Sequence, residues 1–160
     1  MSGRSPLWQS HRRSALALID LVVTVLLMGV LAAAVVPRFS GAVQRHRATS
    51  AAQRICADIR LAKNSAIASS ASKRIDFNVA QGSYTLVGVA SLDKPGTDYS
   101  QQLSGGTYES AIVSANLGGD ASLTFDIHGQ PDSGGTVVVR SGSLQVTVTI
   151  NSATGEATTP

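Results

Sequence analysis

The hydrophobic pattern of the chain changes period twice. From Ala15 to Val36 nearly every position is apolar, and Asp20 is the only charged residue among these twenty-two. At 1.5 Å rise per residue such a run spans about 33 Å, the thickness of a bilayer hydrocarbon core. Beyond Pro37 the period becomes helical and amphipathic. Ala48, Ala52, Ile55, Ile59, Ala62 and Ala66 alternate spacings of four and three, which predicts one narrow apolar face of small residues. Arg47, Arg54, Arg60 and Lys63 lie mainly off it. After Ser72 the period falls to two. Ile75, Phe77 and Val79 alternate, residues 80–83 turn the chain, and Tyr84 to Ala90 returns, which predicts a hairpin. Residues 91–121 are turn-rich, with a short strand expected from Tyr108 to Ser114. Three further strands follow: Leu123, Phe125 and Ile127 alternate, Val137 to Val139 form a β-branched run, and Leu144, Val146, Val148 and Ile150 alternate. The expected fold class is α+β, a long N-terminal helix packed on an antiparallel β head.

Two local features modify the helix. Pro37 lacks an N–H and clashes with the preceding turn, so a kink or the membrane exit is expected there. Gly41 weakens the helix by about 1 kcal/mol relative to alanine.

Charge divides the chain in the same places. Arg4, Arg12 and Arg13 precede the apolar run with no acid, which favours a cytoplasmic N-terminus and an exported remainder. Eight basic residues between Arg38 and Arg74 face one acid, Asp58. From Ile75 to Pro160 two bases, Lys94 and Arg140, face eight acids. The basic stem reads as a solvated face, or one paired with acidic neighbours in an assembly, because no aromatic platform for bases accompanies it. A single cysteine, Cys56, excludes an internal disulfide; beside Ile55 and near Ile59 it reads as a buried structural thiol.

Asp20 is the anomaly. A carboxylate at the centre of a membrane helix costs about 2.5–3.5 kcal/mol on insertion scales and is tolerable only when paired. A plain single-pass anchor leaves it unexplained, unless it snorkels to the interface. A cleaved secretory signal ending at Ala32-Ala33-Ala34 leaves it interrupting a core longer than the usual 7–15 residues. The stretch ALALIDLVVTVLLMGVLAAAVVPRF accounts for it by resemblance, being similar to the start of type IV pilins and type II secretion pseudopilins. That family shows a small residue, a pattern like F-T-L-I-E-L, an apolar helix and a proline near the twenty-second mature position. Ala15 matches the residue before the cut, Leu16 the first mature residue, Asp20 the fifth-position glutamate and Pro37 the proline. Alanine replaces the usual glycine, leucine the usual phenylalanine, and aspartate the glutamate.

Farther on, LTFDIHGQPDSGGTVVV and the terminal SATGE resemble the GspH/FimT-type minor pseudopilins through Gly129, Gly134, Gly135, Thr136, Thr154 and Gly155. The stem run DIRLAKNSAI resembles that family's helix. The resemblance implies a pilin-like fold. Residues 1–15 would be a prepilin leader, 16–37 a transmembrane and filament-core helix, 38–72 an amphipathic stem and 73–160 the head. It implies cleavage between Ala15 and Leu16 by prepilin peptidase and N-methylation of Leu16. It also implies that Asp20 pairs with the N-terminal amine of a neighbouring subunit during assembly. The implied partners are other pilins or pseudopilins, the peptidase, an assembly ATPase and platform protein, and inner-membrane lipid, with the head on the extracytoplasmic side. The implied function is a minor pseudopilin of a type II secretion pseudopilus. The alternatives are a FimT-like minor type IV pilin in pilus biogenesis, adhesion or DNA uptake, and a signal-cleaved exported β domain that binds a ligand. Some FimT-like members end in a basic tail linked to DNA binding; Glu156 and an acidic head argue against nucleic acid here.

No catalytic arrangement emerges. His128 stands near Asp126 and Asp132 without a nucleophile elbow, and the glycine pairs lack P-loop spacing. Asp93, Asp98, Asp120, Asp126 and Asp132 do not follow a calcium-loop spacing. The expectation is a structural subunit with no enzymatic activity, cofactor or metal.

Overall fold

The computed structural model describes residues 9–160, with side chains at 17–32 and 40–160. Ala15, Leu16 and Pro37 lie outside the described side chains. One helix, α1 (Gln9–Ser69), is followed by eight strands: β1 (Lys73–Asn78), β2 (Ser83–Ala90), β3 (Asp98–Gln102), β4 (Ala111–Leu117), β5 (Ser122–Phe125), β6 (Gly135–Ser141), β7 (Leu144–Ile150) and β8 (Ala157–Thr158). The chain forms two compact units, a first ending at Ala42 and a second from Val43 to Pro160.

In the first unit the large apolar side chains from Leu18 to Leu31 are all exposed, including the consecutive positions Leu21, Val22 and Val23. Among the described residues nothing covers any face of this stretch. A helix that is apolar all round calls for a nonpolar environment on every side. Among the described residues no helix is long and apolar enough to cross a membrane; the described side chains of the apolar run stop at Ala32, four residues short of its end. The Thr24 hydroxyl donates to the Leu21 carbonyl at 2.8 Å, which satisfies its polar group within the helix.

The second unit is an α+β head built on the remainder of α1. The alternating stripe Ala48, Ala52, Ile55, Ile59, Ala62 and Ala66 is fully buried, joined by Ala51. Small side chains let the β layer come close to the helix axis. Two four-stranded sheets form that layer, ordered β3-β2-β1-β5 and β4-β6-β7-β8, with antiparallel pairing throughout. Their inward residues Ile75, Tyr84, Leu86, Leu123, Phe125, Val137, Val139 and Val148 complete a core with the helical stripe.

The strand assignments differ from the sequence pattern in particular places. The hairpin of β1 and β2 falls on the expected segments, but Val79 and Ile127 are 38% and 47% exposed, because their strands end at Asn78 and Phe125. The strand expected at 108–114 lies at Ala111–Leu117, three residues later. The polar strand β3 sits in a stretch with no alternation of apolar residues, since none of its side chains is buried. The head also has two sheets rather than one, and the chain crosses between them three times, after β3, β4 and β5; in the second crossing Leu117 bridges to Asp120.

Two motif glycines have steric reasons. A Cβ on Gly135 would lie 1.9 Å from the Asn116 carbonyl oxygen, on the adjacent strand β4. A Cβ on Gly155 would lie 2.5 Å from Phe125 Cε1, a fully buried aromatic ring of the core. Gly135→Ala is therefore expected to lower stability by about 1–3 kcal/mol through forced backbone movement. Gly105→Ala, where the added methyl meets open space, should change it by less than about 0.5 kcal/mol. Urea unfolding followed by circular dichroism distinguishes the two.

Candidate functional site

Of the residues that the sequence singles out for assembly, Asp20 is the one whose side chain is described. It is exposed on α1, and no partner for it occurs among the described residues. Every large apolar neighbour around it, from Leu18 to Val23, is exposed as well. The segment thus offers a carboxylate and a nonpolar surface, both without cover among the described residues.

A second carboxylate on the same helix has the opposite circumstances. Asp58 is buried, with 4% of its surface exposed. Its Oδ2 accepts from Arg54 Nε at 3.1 Å, from the Tyr84 hydroxyl at 2.5 Å and from the Tyr99 hydroxyl at 3.2 Å. Arg54 also donates to the Tyr99 hydroxyl and stacks 5.9 Å over its ring. Arg54 and Asp58 are one helical turn apart, the spacing at which opposite charges meet. The strands supply the tyrosines: Tyr84 from β2 and Tyr99 from β3. This cluster ties the edge of the first sheet to the stem. It is the polar anchor for β3, which has no buried side chain of its own. Burial, and then the neighbouring Asp58 carboxylate, hold the Tyr84 phenol well above its ordinary 10.0. Burial raises Tyr99 in the same direction, and it raises the Cys56 thiol. The cluster was not foreseen from the sequence, although one signal was present: Asp58 is the only acid among the stem's bases.

The stem's basic face is largely satisfied by the head. Arg47 pairs with Glu109 and Arg60 with Glu156 at 3.9 Å, while within β1 Arg74 pairs with Asp76 at 2.8 Å. Lys63 Nζ donates to the Thr154 carbonyl and Lys73 Nζ to the Gly88 carbonyl, both at 2.7 Å. These contacts are mostly exposed, so each adds little to stability. The two stem pairs, Arg47–Glu109 and Arg60–Glu156, offset charge across the helix–head boundary, whereas the lysine contacts to carbonyls hold their ammonium groups in place without neutralising them.

His128 lies in an exposed turn whose amides bind the Asp126 carboxylate, and His46 is exposed on the stem. Among the described residues no three metal-ligating side chains converge. A shallow groove of about 630 Å³ on the outer face of the first sheet is lined by Asp76, Phe77, Asn78, Val79 and Thr85.

The family description Type II transport protein GspH matches residues 51–154, which is most of the second unit. No functionally curated protein matches the sequence. Among solved structures, the type IV minor pilin FimU of Pseudomonas aeruginosa is similar, with a TM-score of 0.52 at 15% identity. The match covers 72% of this chain and 90% of that one. At that identity the likeness speaks for the fold, which is the pilin fold.

The Asp58 cluster leads to two measurements. Tyr84→Phe removes one hydrogen bond to a buried charge and should cost about 1.5–3 kcal/mol. Asp58→Ala removes the acceptor shared by two tyrosine hydroxyls and a guanidinium and should cost about 3–5 kcal/mol. Because the folded chain holds the Tyr84 proton more tightly than the unfolded chain, stability is full below pH about 10 and falls as pH rises beyond it. Thermal melts across this range should show a shallower alkaline decline in Tyr84→Phe.

Proposed function

This chain belongs to the GspH family, and from that premise we propose that it is a minor pseudopilin of a type II secretion pseudopilus. Members of the family are structural, membrane-anchored subunits with extracytoplasmic heads, and they assemble with other pilin-like chains into a filament. The finer reading places the leader cut between Ala15 and Leu16 and the methyl group on the new Leu16 amine. Residues 16–37 form the membrane anchor and later the filament core, 38–72 the stem and 73–160 the head. Pro37 bends the helix where it leaves the lipid. Prepilin peptidase, an assembly platform protein and an ATPase are the implied machinery.

One observation carries this reading: Asp20 stands in an apolar helix exposed on all sides, with no partner among the described residues. A neighbouring subunit can supply the cation that the described residues do not. The α-amine of a mature neighbour, protonated at pH 7 with an ordinary pKa near 8, is the matching charge. In a nonpolar filament core that pair is screened little by salt. The second reading, a minor type IV pilin, shares the fold and all of these residues. Against its DNA-uptake variant, Glu156 is turned to Arg60 of the stem and Ala157 is buried in β8. The tail therefore presents no basic reach to phosphate.

Asp20→Ala is expected to abolish incorporation into shear-released filaments, and Asp20→Glu to retain it. Undiminished incorporation of the alanine variant would sink the proposal. Mass spectrometry of the mature chain should find N-methyl-Leu16 at its start; Val35 in that place would instead mark a secretory cut. Which pilin-like chains co-purify from membranes separates a pseudopilus from a type IV pilus.

A further inference from the structure

We propose that the root of the head carries a cationic rim, formed by Arg45 and Arg140, that rests on the anionic headgroups of the membrane holding the anchor. The inference depends on the anchoring reading above.

The rim is a product of topology. Arg140 is one of only two bases in the last 86 residues. Strand β6 carries it to the end of the head where the chain enters. The turn after it, Gly142-Ser143, meets the stem at Gln44: the Ser143 amide donates to Gln44 Oε1 at 3.4 Å. A Cβ on Gly142 would fall 2.3 Å from Gln44 Cδ. Arg45 is the next residue of the stem. Both arginines are exposed, and neither has an ion-pair or hydrogen-bond partner among the described residues. The acid at this end, Glu109, is already paired with Arg47.

Four of the head's eight acids, Asp93, Asp98, Asp126 and Asp132, lie toward the opposite end. The loop bearing Asp126 and Asp132 touches the stem at Ile67 and Lys63, through Gly129. Asp93 and Asp98 flank the far end of β2, where Gly88 receives the Lys73 ammonium just after the helix stops. Gln44 and Ile67 are 23 residues apart on α1, about 35 Å of helix. That is about four Debye lengths at physiological ionic strength. By count the segment after Arg74 is strongly acidic and would be repelled by an anionic surface. By placement the repulsion is screened at the far end, and the unpaired arginines stand at the near end.

Chain length keeps the rim close to the lipid. Nine residues separate Val36 from Arg45, and even fully extended they reach no more than about 32 Å. Anionic headgroups attract each nearby arginine enough to multiply the contact population about fivefold. Two arginines are enough to give the head a resting orientation on the membrane, and the contact is weak enough to release when the subunit leaves it.

The test uses the full chain with Cys56→Ala and a nitroxide on Ser143→Cys. It is reconstituted into nanodiscs of phosphatidylcholine, alone or mixed with phosphatidylglycerol. Collision with a water-soluble nickel chelate reads the exposure of the label. Lower collision in anionic than in neutral discs is expected, lost in high salt. Arg45→Gln or Arg140→Gln should each reduce the contact population about fivefold, while Arg140→Lys keeps it. Equal collision in the two lipids, from chains that co-elute with the discs, overturns the rim and leaves the anchor standing. Protection that grows with the number of chains per disc whatever the lipid assigns the rim to a second copy and also overturns it. Chains that fail to co-elute overturn the anchor, and the rim with it.

Discussion

The close packing of an alanine-rich helical stripe against two β-sheets governs the rest of the head. Ala48, Ala51, Ala52, Ala62 and Ala66 present almost no side-chain bulk, so the sheets approach the helix backbone. Ile55 and Ile59 fill the middle of the contact, facing Leu86, Leu123 and Val148 in one core. Because the layers are close, the long basic side chains flanking the stripe reach acceptors across the boundary. Larger residues at the alanines would separate the layers and strand those charges in solvent.

Two carboxylates on one helix illustrate how the same group serves two ends. Asp58 is surrounded by donors from its own chain, an arginine one turn away and two tyrosines from neighbouring strands. Its requirement is met on folding, and the reward is a fixed edge strand β3. Asp20 stands among exposed leucines and valines with no such donors among the described residues. Under the proposed function its requirement is met by a neighbouring subunit. A buried charge with internal partners specifies a fold; a charge in a nonpolar helix without them specifies an encounter. The division of labour between the two units of the chain follows from this difference.

Charge placement obeys a comparable rule. The stem's bases and the head's acids meet within the second unit through Arg47–Glu109 and Arg60–Glu156. What survives is an axial arrangement, with unpaired arginines near the root and acidic loops at the far end. Net charge by segment conceals it, because antiparallel strands return distant residues to the same level of the helix.

By itself the sequence determined the features that depend on local period and on single-residue chemistry. The buried stripe is visible because a helix repeats every 3.6 residues. The β1–β2 hairpin and β7 are visible because a half-buried strand alternates. Asp20 is conspicuous because one charge in twenty-two apolar residues has a known energetic cost. Only the tertiary structure decided matters that rest on residues far apart in the chain. Strand β3, all polar or aromatic, has no periodic signature, since it is held by Tyr99 reaching the stem 41 residues away. The split into two sheets, the burial of Asp58 and the arrival of Arg140 beside Gln44 follow from strand order. Strand order is set by summed packing over the whole core, and no local window of residues contains that sum.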